Sequence, residues 1–163
     1  MNKNDRAKIA FLIGISAIAI MLLLFVDMKS GKTSEDQYAN YFVSVTEKSV
    51  NLTRAFQNEI GLWQLGQISN VTMAEVTDNY LKNFTSQISD FNETDSPEIF
   101  RSAKENLLNS FANEIKSYEF FRDYLLTGNV TKNDISTDFL SQALEDEALS
   151  FKIYQQIINE TNS

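Results

Sequence analysis

The chain reads as an all-α protein: an N-terminal single transmembrane helix followed by an antiparallel, up-down-up-down four-helix bundle ectodomain. Three observations predict it. Ile9–Val26 is a run of eighteen residues without a charge. Only one Pro and five Gly punctuate 163 residues, which favours long helices over many strands and turns. Apolar residues beyond the run recur at spacings of three and four, the signature of one helical face.

The apolar run opens the chain's organisation. As a helix it reaches about 27 Å at ~1.5 Å per residue, close to the ~30 Å hydrocarbon core of a bilayer. The expected divisions are a cytoplasmic N-terminus at 1–8, a transmembrane anchor at 9–28, a linker at 29–33 and an extracytoplasmic bundle at 34–160. Lys3, Arg6 and Lys8 precede the run; Lys29 and Lys32 follow it. That slight basic excess favours a cytoplasmic N-terminus. A cleaved secretory signal is the alternative. It normally has a shorter apolar region ending in a small-residue site, whereas this run ends Leu24-Phe25-Val26-Asp27.

Each later helix has start and stop signals. Ser34-x-x-Gln37 reads as a capping box, and Phe42, Val45, Ser49, Leu52, Phe56, Ile60 and Trp63 form the first stripe, with Gly66 as its stop. Thr72-x-x-Glu75 starts a second helix with Met73, Val76, Tyr80, Phe84, Ile88 and Phe91. Ser96 caps a third, with Pro97 at its first position, where a missing N–H costs nothing. Ile99, Ala103, Leu107, Phe111, Ile115, Tyr118, Phe121 and Leu125 make its stripe before Gly128. The fourth begins near Asn133 or Asp134 and carries Leu140, Leu144, Ala148, Phe151, Tyr154 and Ile158. The expected spans are 34–65, 72–91, 97–127 and 133–159, and their short connections make successive helices antiparallel neighbours.

Composition excludes several chemistries. The chain has neither Cys nor His. Thiolate nucleophiles, Ser-His and Cys-His pairs and imidazole metal ligands are therefore absent. Formal net charge is −8, which opposes nucleic-acid binding through phosphate neutralisation. No catalytic residue, cofactor site or metal site is expected. The acidic run Glu145-Asp146-Glu147 cannot converge on a cation by itself, since consecutive helical positions point about 100° apart. Glu147 lies closest to the apolar seam and reads as the edge of a solvated face.

Six Asn-x-Thr sequons follow the apolar run, at Asn51, Asn70, Asn83, Asn92, Asn129 and Asn159. They are candidate N-glycan acceptors; helix capping is the competing account for Asn70 and Asn129. Sequons without Cys suggest an archaeal-like cell surface. Asn70 and Asn129 fall at turns and are expected to be more accessible than Asn51 and Asn83, which lie inside helices.

The expected function is a non-enzymatic, membrane-anchored cell-surface bundle acting as an accessory subunit or interaction module. Its partners would be membrane lipid through 9–28 and a membrane or cell-surface protein, or a second copy of the chain. Tyr38, Tyr41 and Phe42 are candidate partner or membrane-proximal contacts. Two alternatives remain open: a ligand-sensing extracytoplasmic bundle, and a pilin-like filament subunit.

Overall fold

The computed structural model describes residues 33–161, all in helices and the connections between them. Helix α1 is Ser34–Gln64, α2 Asn70–Glu93, α3 Arg101–Thr127 and α4 Val130–Thr161, with a 3-10 turn at Glu98–Phe100 before α3.

Local chemistry sets these ends. Thr33, one residue earlier than expected, caps α1. Its hydroxyl accepts from Asp36 N at 3.1 Å, and the Asp36 carboxylate accepts from Thr33 N at 3.3 Å, a reciprocal capping box. Ser69 rather than Thr72 caps α2, its hydroxyl accepting from Thr72 N at 3.1 Å. Pro97 opens the 3-10 turn instead of α3 itself. Asn129 starts α4 ahead of the expected Asn133: its side chain accepts from Thr131 N at 3.1 Å and its carbonyl from Lys132 N at 3.0 Å.

Both expected glycine stops are present. Gly66 has φ 73° and Gly128 φ 68°, the left-handed region that L side chains resist. At Gly66 the paired bonds Gly66 N to Trp63 O (3.0 Å) and Gln67 N to Leu62 O (2.9 Å) close a Schellman motif.

The helices alternate in direction. Phe42, early in α1, meets Phe91 late in α2 at 5.9 Å and stacks on Tyr154 late in α4 at 5.0 Å. Trp63, near the end of α1, packs edge-on against Phe121 near the end of α3 at 5.4 Å. So α1 runs with α3 and against α2 and α4, the expected up-down-up-down order.

The anchor part of the expected fold class is corrected. Among the described residues no helix is long and apolar enough to cross a membrane. Each of α1–α4 instead buries one face in the bundle and leaves charged residues on the other, the pattern of a helix made for other helices. The segment expected to span, 9–28, lies outside the described residues, as does the N-terminal stretch 1–8. What the structure supports is an all-α, four-helix domain. The lipid partnership through 9–28, the protein partner inferred alongside it, the membrane location with its stated orientation, and the membrane-anchored surface role with its sensing and filament alternatives all rested on that anchor. They are withdrawn with it.

Two kinds of packing fill the interior. Around α1, α2 and α3 the core is aromatic: Phe56 stacks on Tyr80 at 4.5 Å and meets Tyr118 edge-on at 4.9 Å, and Phe84 meets Phe111 at 5.5 Å. Between α3 and α4, the most extensively contacting pair, small residues recur every seven positions. Ala103, Ser110 and Ser117 on α3 face a seam with Ser136, Ala143 and Ser150 on α4, all buried. Ser117 Oγ lies 3.1 Å from Ser136 Oγ, and Ser150 Oγ donates to Ala103 O at 2.7 Å. Short side chains let the two backbones approach, and the hydroxyls find partners within the seam, as buried polar groups must.

Candidate functional site

The same seam carries two buried carboxyl groups. Leu107, Glu114 and Phe121 alternate with the small residues of α3, and Asn133, Leu140, Glu147 and Tyr154 with those of α4. Glu114 and Glu147 are each 4% exposed. Their level is fixed one residue back on both helices, where Asn113 Nδ2 donates to Asp146 Oδ2 at 2.9 Å across the seam.

Glu114 is held by hydroxyls from three helices. Tyr118 donates to its Oε1 at 2.7 Å and Thr53 at 3.2 Å, with Tyr80 more distant at 3.5 Å. Thr53 and Tyr80 hydroxyls lie 2.9 Å apart, joining α1 to α2 within the cluster. Glu147 is less well served, because its Oε2 is buried without a hydrogen-bond partner. No Lys or Arg is among the buried described residues.

The electrostatics follow from this placement. Burial disfavours the charged form of a carboxyl. It pushes Glu114 up to about 7, opposed by its hydroxyl donors, Tyr118 first. It pushes Glu147 up to about 8, with the charge of Glu114 adding to the rise. Tyr80 and Tyr118 are held well above the usual phenol range by burial and then by the Glu114 charge. Both carboxyls and both phenols thus hold their protons more tightly than exposed groups do, and no Lys or Arg is buried beside them among the described residues.

Two surface depressions among the described residues have neither Glu114 nor Glu147 in their lining. One, of about 440 Å³, lies between the start of α1 and the α2–α3 connection and is lined by Tyr38, Tyr41 and Thr94 to Pro97 with Ser34 and Gln37. The other, of about 360 Å³, lies between α2 and α3, where Arg122 Nε contacts Asp78 Oδ1 at 2.5 Å.

The residues singled out from sequence are placed as follows. Tyr38 and Phe42 are core residues, and Tyr41 is half-buried with its hydroxyl 3.1 Å from Thr94 Oγ1. These three pack within the bundle. The acidic run splits in three directions: Glu145 is exposed, Asp146 accepts from Asn113, and Glu147 is buried instead of edging a solvated face. No cluster of three or more acidic residues able to hold a metal ion occurs among the described residues. All six sequon Asn residues are exposed, those inside helices included. They differ in what surrounds them. Thr53 of the Asn51 sequon has its hydroxyl locked in the Glu114 cluster, and Asn70 Oδ1 accepts from Trp63 Nε1 at 2.8 Å.

Glu114 and Thr53 were missed, and both had a signal. Each sits at an allowed three-or-four spacing beside an apolar neighbour, Ile115 and Leu52, that took its place in the expected stripe. The seven-residue recurrence of small residues in α3 and α4 marks the true seam and puts Glu114 and Glu147 on it.

The fold and its buried layer are those of an all-α four-helix domain with two buried carboxyl groups in its core. Compared with protein-family models, curated proteins and solved structures, the chain matches none.

Proposed function

We propose that the domain is a non-enzymatic conformational module in which α4 is a separable partner of an aromatic three-helix core. One observation carries this. With Tyr and Trp counted as apolar, four of the eight buried residues of α4, Asn133, Ser136, Glu147 and Ser150, are polar, against three of eleven in α1, one of six in α2 and three of ten in α3. A helix whose buried face is half polar gains less from burial than its neighbours and falls toward the low end of local stability. The deep burial of Glu114 and Glu147, each 4% exposed, also suits a role in conformation better than turnover of a substrate.

Native-state hydrogen exchange in dilute denaturant tests it. The amides of α4 are expected to exchange through an opening of lower free energy than those of α1, α2 and α3. Equal protection of all four helices, at the global unfolding free energy, would overturn the reading.

A further inference from the structure

Resting on the separable α4, a more specific role falls to the two carboxyls. We infer that Glu114 and Glu147 act as a proton-operated latch across the α3–α4 seam, closed while the pair holds a proton and released when both ionise. The geometry is the first support. Both side chains occupy seam positions at a level fixed by the Asn113–Asp146 hydrogen bond, and both are buried. The second support is the inventory of groups around them. From α1 the cluster receives the Thr53 hydroxyl, from α2 the Tyr80 phenol, and from α3 the Tyr118 phenol. Asp146 at the rim is engaged by Asn113. Among the described residues no buried Lys or Arg can neutralise a second negative charge.

The consequence is directional. Two carboxylates in one low-dielectric layer repel, and donors are shared unequally between them: three hydroxyls meet Glu114 Oε1, whereas Glu147 Oε2 has none. The least costly relief is to hydrate Glu147. It is the carboxyl on α4, the helix with the largest polar share in its buried set. Glu114 stays tied to α1, α2 and α3 through its hydroxyl partners. Moving α4 therefore separates the charges without breaking the Glu114 network. The raised proton affinities of both groups, about 7 and about 8, put the release near neutral to mildly alkaline pH.

The absence of native Cys makes the test direct. Spin labels on the full chain at Asn109→Cys and Leu149→Cys, both exposed, report the α3–α4 separation. Between pH 5.5 and 9 a second, longer distance is expected to appear, its population rising by up to about tenfold per pH unit through the transition. The double variant Glu114→Gln, Glu147→Gln is expected to keep the short distance at both ends of the range. Should it fail to fold by circular dichroism at pH 5.5, the single Glu147→Gln variant, which leaves the Glu114 hydrogen bonds intact, serves instead. A parent protein with one unchanged distance distribution overturns the latch. So does a neutral variant that opens as far as the parent. Opening of α4 at every pH and in every variant removes the latch but leaves α4 separable, whereas no opening by distance or hydrogen exchange removes both.

Discussion

The α1–α2–α3 side of the bundle and its α3–α4 seam solve one packing problem with opposite materials. The first fills its interior with rings: Phe56, Tyr80, Phe84, Phe111 and Tyr118 stack or meet edge-on within 4.5 to 5.5 Å. The second brings backbones together over Ser and Ala and places two carboxyls between them. Aromatic layers bury large apolar areas and supply most of the driving force. The Ser and Ala positions of the seam supply close van der Waals contact and satisfied hydroxyls but little apolar burial of their own. One side therefore draws more of its stability from apolar burial, and the other depends more on its polar groups.

The largest effect should come from the aromatic side. Phe111 is 3% exposed and packs against Phe84 and Phe91. Phe111→Ala is expected to cost about 3–5 kcal/mol, as buried Phe truncations do, measured by urea denaturation. A loss below about 1 kcal/mol would mean that rings are not what holds this side together.

The seam should fail in the other direction, by overfilling. Ala143 is fully buried where the helices approach. Ala143→Leu is expected to destabilise by about 1–3 kcal/mol although it adds apolar surface. If chemical denaturation showed the variant as stable as the parent, close approach would not be what the small residues provide.

The carboxyls distinguish the two regions by pH. With folded-state affinities raised above the unfolded carboxylate value, Glu114 and Glu147 bind protons in the folded protein at pH values where the unfolded chain has lost them. Stability should be greatest below about pH 4.5 as far as these two groups are concerned, then fall as pH rises toward about 8. The slope is at most about 1.4 kcal/mol per pH unit for each group. Glu147→Gln should flatten the upper part of that fall, read from urea midpoints at half-unit pH steps. A parent curve that is flat from pH 5 to 8 would contradict it.

The smallest effect belongs to the surface between α2 and α3. Arg122 and Asp78 side chains are 37% and 51% exposed, so solvent screens their ion pair. Arg122→Ala is expected to change stability by less than about 1 kcal/mol. A thermal-melt loss of several degrees beyond that would assign the α2–α3 face a role that the aromatic core does not explain.

Much of the architecture was legible before any coordinates. Helix number, direction and stops follow from local rules: Gly66 and Gly128 adopt the left-handed backbone their positions required, and Phe42, Phe84, Phe111 and Phe121 are buried as their spacing implied. Helix starts shifted by one to four residues, because several Ser, Thr and Asn near each end compete to cap and only packing selects one. The inference that depended on a single apolar run, a membrane anchor with everything attached to it, was not carried by the described helices.

By itself the sequence determined that residues 34–159 hold four amphipathic helices, since capping, left-handed glycines and three-four periodicity act within a few residues of chain. Tertiary structure alone decided which of two adjacent positions faces inward. Thr53 is buried where Leu52 was expected, Glu114 where Ile115 was, and Glu147 enters the core while Leu144 and Ala148 sit at its margin. The physical reason is that a rotation of one position, about 100°, is decided by the shape of the facing helix. A seam of Ser and Ala on both sides sets that register by how closely the backbones can meet, and the hydroxyls of Thr53, Tyr80 and Tyr118 make burial of a carboxyl tolerable at a point where polarity alone would have turned it outward.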